Sequence, residues 1–162
     1  MSSAFERLAA TVDYPMFVVT AAADGERSGC LVGFATQCSI DPTRFLACLS
    51  VKNHTYGVAR RAEMLAVHLL HSDDTATAEL FGAKTGDDID KFGLIPWHPG
   101  PGGVPVLDGA KGWFAGPVIE IVDLGDHHGF VIDPLEGDAG TGDPDDLFTF
   151  QQAKDIEAGH PA

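Results

Sequence analysis

Three stretches of this chain combine residue types and spacings that can do chemistry. In the first, residues 33–42 (GFATQCSIDP), small and polar residues crowd the end of an apolar run just before Asp41 and Pro42. Small side chains leave backbone N–H and C=O groups accessible, and a row of such groups can hold the edge of a flat heteroaromatic ring. Thr36, Gln37, Cys38 and Ser39 are the candidates. The alternative is a plain strand end, with Thr36 and Ser39 making local turn bonds. In the second stretch, residues 50–62 (SVKNHTYGVARRA), Lys52, His54, Arg60 and Arg61 cluster in a chain that has only 10 Lys and Arg. Ser50, Asn53 and Thr55 add donors where a helix begins, and the N–H groups of a helix start favour a phosphate. The alternative there is a capped surface helix with solvated arginines. The third stretch, residues 123–132 (DLGDHHGFVI), puts Asp126, His127 and His128 at the head of an apolar run. Adjacent residues of a strand point to opposite faces, so at most one histidine looks into a given pocket. Asp126 either closes the turn or fixes the tautomer of a neighbouring imidazole.

Other chemistries find less in the sequence. A metal centre would need His127 together with His68 or His71, and these two lie on opposite pleat parity around the end of one strand. Cys30, Cys38 and Cys48 are odd in number, lack CxxC spacing and sit among apolar residues, which suits packing as small hydrophobes. No GxSxG, GxGxxG or GxxxxGK[ST] motif is present.

The elements that must position these residues follow from patterning. The chain has 162 residues, of which 44% are hydrophobic and 21% charged, enough for one domain with a real core. A net charge of −14 opposes general binding to nucleic acid or to anionic membranes. No apolar run approaches the roughly 20 residues of a membrane span. The opening MSSAFERLAATVDYP has no basic region followed by a long apolar one, so a cytoplasmic location is expected.

Strands are predicted over 14–22, 29–40, 44–51 and 64–70, and again over 111–123 and 128–136. Asp24 and Gly25 mark a hairpin turn between the first two. Short helices are predicted over 3–10, 53–61, 72–82 and 87–93. The run 95–105 (IPWHPGPGGVP) reads as a loop, and 137–146 as an acidic loop. Residues 147–159 begin as a strand and end as a helix. The sum is a mainly β domain with covering helices, an antiparallel sheet that closes into a small barrel and so removes its edges. It is expected to be one domain over 1–162, with a core over about 10–150 and a helical tail over 151–162.

With these segments in order, the chain resembles the flavin reductase-like, FMN-binding split-barrel family. The matching pieces are YPMFVVTAAADGERSGCLVGFATQCSIDP, then FLACLSVKNHTYGVARRAEMLAVHLL, then ELFG, DKF, GVPVLDGAKGWF and LGDHHGFVI, over residues 10–135. The resemblance implies a homodimer that binds FMN, or FAD, near the subunit interface. It implies a ring held by the backbone of Thr36, Gln37, Cys38 and Ser39. It implies a phosphate held by Ser50, Lys52, Asn53, His54, Thr55 and Arg60. His127 takes the Gly-Asp-His position, where flavin and nicotinamide stack, and His128 turns away. The reaction implied is hydride transfer from NADH or NADPH to flavin, with a flavin-dependent monooxygenase as the partner that receives reduced flavin. Two other functions fit the same scaffold: an FMN-retaining oxidoreductase acting on a small organic substrate, and a non-catalytic flavin-binding protein. After Ile132 the chain departs from the usual family ending. There Phe148 and Phe150 are expected to supply the closing strand, and 151–158 a helix that packs on a partner subunit or covers the pocket.

Overall fold

Ten strands and four short α-helices make up the protein in a computed structural model that describes residues 3–83 and 90–156. In chain order they are α1 (Ala4–Ala9), β1 (Phe17–Ala23), β2 (Glu26–Val32), β3 (Ala35–Ser39) and β4 (Arg44–Ser50). Then come α2 (His54–Ala59), β5 (Met64–Leu69), α3 (Thr75–Ala83), β6 (Trp97–Pro99) and β7 (Pro105–Leu107). The chain continues through β8 (Gly112–Asp123), β9 (His127–Ile132), β10 (Glu136–Asp138) and α4 (Phe150–Ala153). The main sheet runs β2-β1-β5-β8-β9-β4-β3, with β10 added beside β8 and every pairing antiparallel. The expected mainly β, antiparallel architecture is therefore present. The first hairpin turns on Asp24 and Gly25, whose φ angles of 54° and 80° match the two left-handed positions of a type I′ turn.

Three elements differ from the sequence reading. The run 29–40 is not one strand. It breaks at Gly33 and Phe34, so that β2 pairs with β1 while β3 pairs with β4. The two ends of the sheet path are thus consecutive in the chain, and among the described residues no ladder joins them. The Pro- and Gly-rich run 95–105 is not a plain loop. Trp97–Pro99 pairs with Pro105–Leu107 in a separate two-stranded ribbon. The closing strand expected near Phe148 is reduced to a single bridge between Pro15 and Thr149, and α4 already starts at Phe150. Part of the 87–93 turn and the end of the tail, residues 157–162, lie outside the described residues; Lys91–Gly93 forms a 3-10 turn.

Strand β1 explains the continuous apolar run FVVTAA, because both of its faces are covered. Val19 and Ala21 join Leu49, Leu65, Val67, Phe130 and Ile132 in one core, while Val18 joins Leu70, Phe81 and Phe148 in a second. Each fully buried Phe of this kind contributes on the order of 2–3 kcal/mol. Cys30 is buried as expected, but Cys38 is exposed on β3, whose residues 36–38 are all exposed.

Two buried polar side chains tie the layers together. His68 in β5 is fully buried; its Nδ1–H donates to the Val18 carbonyl at 2.9 Å, and its Nε2 accepts from the Leu107 N–H at 3.1 Å. Burial pushes its pKa down to about 4, so the ring is neutral and joins β1, β5 and β7. Lys91 is also buried, and its Nζ donates to the carbonyls of Gly29 and Phe81 at 3.1 and 3.4 Å. Burial lowers its pKa.

Candidate active site

Strands β4 and β9 lie side by side so that Ser50 pairs directly with His127. The loop after β4 is drawn to the β8–β9 turn by a hydrogen bond from the Val51 N–H to the Asp126 carbonyl, 3.0 Å. Two of the three stretches singled out in the sequence therefore meet. They meet at a pocket of about 210 Å³. Ser50, Asn53 and His127 supply its polar groups, and Phe34, Met16 and Leu31 much of its apolar wall. Gly33 keeps that wall thin: a Cβ there would come within 3.1 Å of Met16 Sδ and 3.2 Å of the Tyr14 ring.

His127 is held on two sides. Its Nδ1 lies 2.8 Å from Asp126 Oδ1, and its ring sits 5.1 Å from the Phe34 ring. The His127 imidazole, with a smaller contribution from Lys52, holds the Asp126 carboxyl below the usual range. A carboxylate on Nδ1 selects the tautomer and leaves Nε2 to act elsewhere. His128 points the other way, where its Nδ1 meets the Tyr56 hydroxyl at 2.8 Å and its Nε2 lies 3.5 Å from Asp123.

The 50–62 stretch divides in the structure. Asn53 caps α2, its side chain accepting from the Thr55 N–H at 2.9 Å, and the Ser50 hydroxyl accepts from the Lys52 N–H at 3.3 Å. Lys52 is exposed beside this turn. Thr55 is buried and hydrogen-bonds Ser28 at 2.8 Å, while His54 pairs with Glu26 at 2.7 Å. Arg60 sits at the far end of α2, about 10 Å along the axis, over the Tyr56 ring. The pocket wall thus takes Ser50 and Asn53 from this stretch, with Thr55, His54 and Arg60 engaged elsewhere.

The first stretch enters the pocket wall only with Gly33 and Phe34, and its candidate residues 36–39 lie beside the pocket. Thr36, Gln37 and Cys38 are exposed and Ser39 is half-buried on β3, the end strand of the sheet path. The ladder to β4 shifts register between Gln37 and Ser39, so Cys38 is the bulged residue. Bulges of this kind occur preferentially at sheet edges and beside active sites. Tyr14, Met16 and Phe150 were not among the sequence candidates, yet all three line the pocket. Aromatic residues near each terminus were the only signal. Among the described residues no cluster of three or more His, Cys, Asp or Glu could hold a metal ion: His68 is spent on backbone groups and His71 on Asp146. Nor is any described helix long and apolar enough to cross a membrane.

The chain has relatives in both sequence and fold. The chain matches the flavin reductase like domain over residues 9–156 and belongs to that family. It is 31% identical over 127 residues to the reductase component of a 4-nitrophenol 4-monooxygenase/4-nitrocatechol 2-monooxygenase from Rhodococcus opacus, covering 78% of this chain and 66% of that protein. It is 26% identical over 158 residues to an FMN reductase (NADH) from Ancylobacter novellus, covering 98% and 84%. The structure of a flavin reductase domain protein from Arthrobacter sp. FB24 superposes with a TM-score of 0.81 at 20% identity, over 98% of this chain and 94% of that one. The alignments span between 35% and 66% of the length of three of the curated relatives.

Proposed function

We propose that this protein is an NAD(P)H-dependent flavin reductase. It takes hydride from NADH or NADPH to FMN, or FAD, and passes reduced flavin to a flavin-dependent monooxygenase. The observation that carries this reading is the direct pairing of Ser50 with His127 at one apolar, partly aromatic pocket. Relatives called FMN reductase (NADH) and monooxygenase reductase component support the activity and the partner.

The residues fit a flavin. An apolar wall with Gly33 beneath it suits a flat ring, and Ser50 and Asn53 in the wall, with Lys52 exposed beside them, suit a phosphate at one end. When bound, flavin would supply the two-electron acceptor, N5, for hydride leaving nicotinamide C4. The chain's own contribution is placement. Lys52, Ser50 and Asn53 hold the phosphate end, while His54 and Thr55 anchor the turn that carries Asn53. The free edge of β3 offers the backbone of 36–39 to the ring's polar rim, since β3 starts one residue after Phe34. His127, fixed by Asp126, orients the second ring. Stacking of two rings in a site closed to water converts an encounter into a positioned transfer.

The protein is further proposed to act in the cytoplasm as a homodimer, with the sheet rolled into a split barrel whose seam lies between β2 and β3. The sheet face that bears Ser50 and His127 also carries half-buried Leu46, Cys48, Val122 and Val131 and exposed Phe34 and Leu124. A second copy seated there would cover these residues and close the pocket.

The test is an anaerobic visible spectrum of the protein with FMN, followed by NADH and NADPH in separate cuvettes. The flavin band is expected to bleach at a catalytic rate with at least one donor. Bound flavin that neither donor bleaches, or no binding, overturns the reading. Lys52→Ala is expected to weaken FMN about two- to fivefold and riboflavin hardly at all, since only FMN carries the phosphate. Titration of both ligands checks this, and equal losses would remove Lys52 from the phosphate site.

A further inference from the structure

The end of the chain contributes a ring to the pocket that the proposed activity does not yet use. Phe150, first residue of α4, lies against Tyr14 with ring centroids 4.8 Å apart and only 18° between planes. Both rings line the same pocket as Phe34 and His127. The pair is not a chance contact of a loose tail. The Phe150 N–H donates to the Tyr14 carbonyl at 2.8 Å, and the Met16 N–H donates to the Phe148 carbonyl at 2.9 Å. Gln151 donates from its backbone to Asp13 and from its side chain to the carbonyls of Ala10 and Val12. Thr149 and Gln152 form a capping box that fixes the start of α4. Phe148 is fully buried immediately before this helix. Two distant segments of chain are therefore joined by at least five hydrogen bonds, and the join holds two parallel aromatic rings at the pocket. Neither ring is fully buried, although Phe81, Phe130 and Phe148 are. A parallel, half-exposed aromatic pair presents a π face that a third flat ring can extend.

We infer that Tyr14 and Phe150 form a stacking wall for a planar heteroaromatic ring, which makes α4 part of the binding site. This inference rests on the flavin reductase reading. The ring comes either from the flavin or from the nicotinamide donor, and the wall sets the affinity for whichever one lies on it.

The test uses the full chain with three substitutions at one position: Phe150→Leu, which keeps bulk but removes the π face; Phe150→Ala; and Phe150→Trp, which restores a larger face. Two quantities are read on each: the FMN dissociation constant, from titration of flavin fluorescence without any donor, and KM for whichever of NADH and NADPH bleaches the wild-type flavin, at saturating FMN. Phe150→Leu and Phe150→Ala are expected to weaken one of the two about fivefold or more, and Phe150→Trp to restore it. A loss in FMN affinity assigns the wall to flavin; a rise in KM for that donor at unchanged FMN affinity assigns it to the donor. If both constants stay at wild-type values in Phe150→Leu and Phe150→Ala, the wall does not bind a ring. A loss that Phe150→Trp fails to restore shows that Phe150 only packs α4, and likewise overturns the inference. The wild-type protein separates this from the wider reading. If it binds FMN and oxidises NADH or NADPH while the Phe150 series is silent, only the wall is lost. If it does neither with either donor, both are lost.

Discussion

His127→Ala is expected to slow NADH-driven flavin reduction about a hundredfold while weakening FMN binding by less than about threefold. The size follows from placement. A misplacement of about 1 Å between reacting groups costs on the order of a hundredfold in rate. His127 is held at the pocket on two sides, with Asp126 on Nδ1 at 2.8 Å and Phe34 against its ring at 5.1 Å. Apolar contact and the Lys52 end of the site would still hold flavin when the imidazole is gone. Single-turnover bleaching of bound flavin and a separate FMN titration measure the two effects independently. Binding that collapses, with an unchanged rate per bound flavin, would reverse the role given to His127 and make it a ligand-holding residue.

Stability is expected to fall by about 3 kcal/mol between pH 6.5 and pH 4 through His68 alone. The folded pKa of about 4 lies below the ordinary value of 6.5. In that interval the unfolded chain binds a proton that the folded chain refuses, so stability is complete above pH 6.5 and is lost as pH falls toward 4. The structural cause is the pair of backbone bonds. A proton on Nε2 would meet the Leu107 N–H, a second donor, at a fully buried position. The carboxylates held low by their partners, among them Glu26 on Arg61 and His54, lose stability in a lower window, below about pH 4. Urea unfolding at a series of pH values separates the two. His68→Gln is expected to flatten the upper window only. An imidazole of His68 that titrates near 6.5 by NMR in the folded protein would contradict the prediction without any variant.

What could be read before folding was local. Asp24 and Gly25 announced their turn because Asp-Gly readily takes the two left-handed positions of a type I′ turn, which matches the twist of the flanking strands. Ser50, Asn53 and His127 stood out as polar residues at the borders of apolar runs, where a side chain caps a helix, closes a turn or faces a site, and all three line one pocket. The pocket's other wall was not readable. Tyr14, Met16 and Phe150 lie more than 130 residues apart at the extremes and meet only when the two ends of the chain join, at the Pro15–Thr149 bridge and through Gln151. The break at Gly33 was hidden because apolar residues continue on both sides of it, and periodicity alone does not show a change of pairing partner. Thr55 looked like a donor at a helix start, yet its hydroxyl is used by Ser28, a partner 27 residues away. Pro and Gly masked the β6–β7 ribbon because they weaken the strand signal even where a short ladder is allowed.

Strand β8 has a consequence for how the site is lost. Its first half, Gly112 to Pro117, pairs with β5, and its second half, Val118 to Asp123, pairs with β9. The β1–β2–β5 side of the sheet, which brings Met16 and Leu31 to the pocket, and the β3–β4–β9 side, which brings Ser50 and His127, share this one backbone. Neither side can exchange its amides by opening alone without stripping half of β8's ladder. The amides of β8 should therefore be the slowest in the protein to take up deuterium, and the pocket should vanish in a single cooperative step.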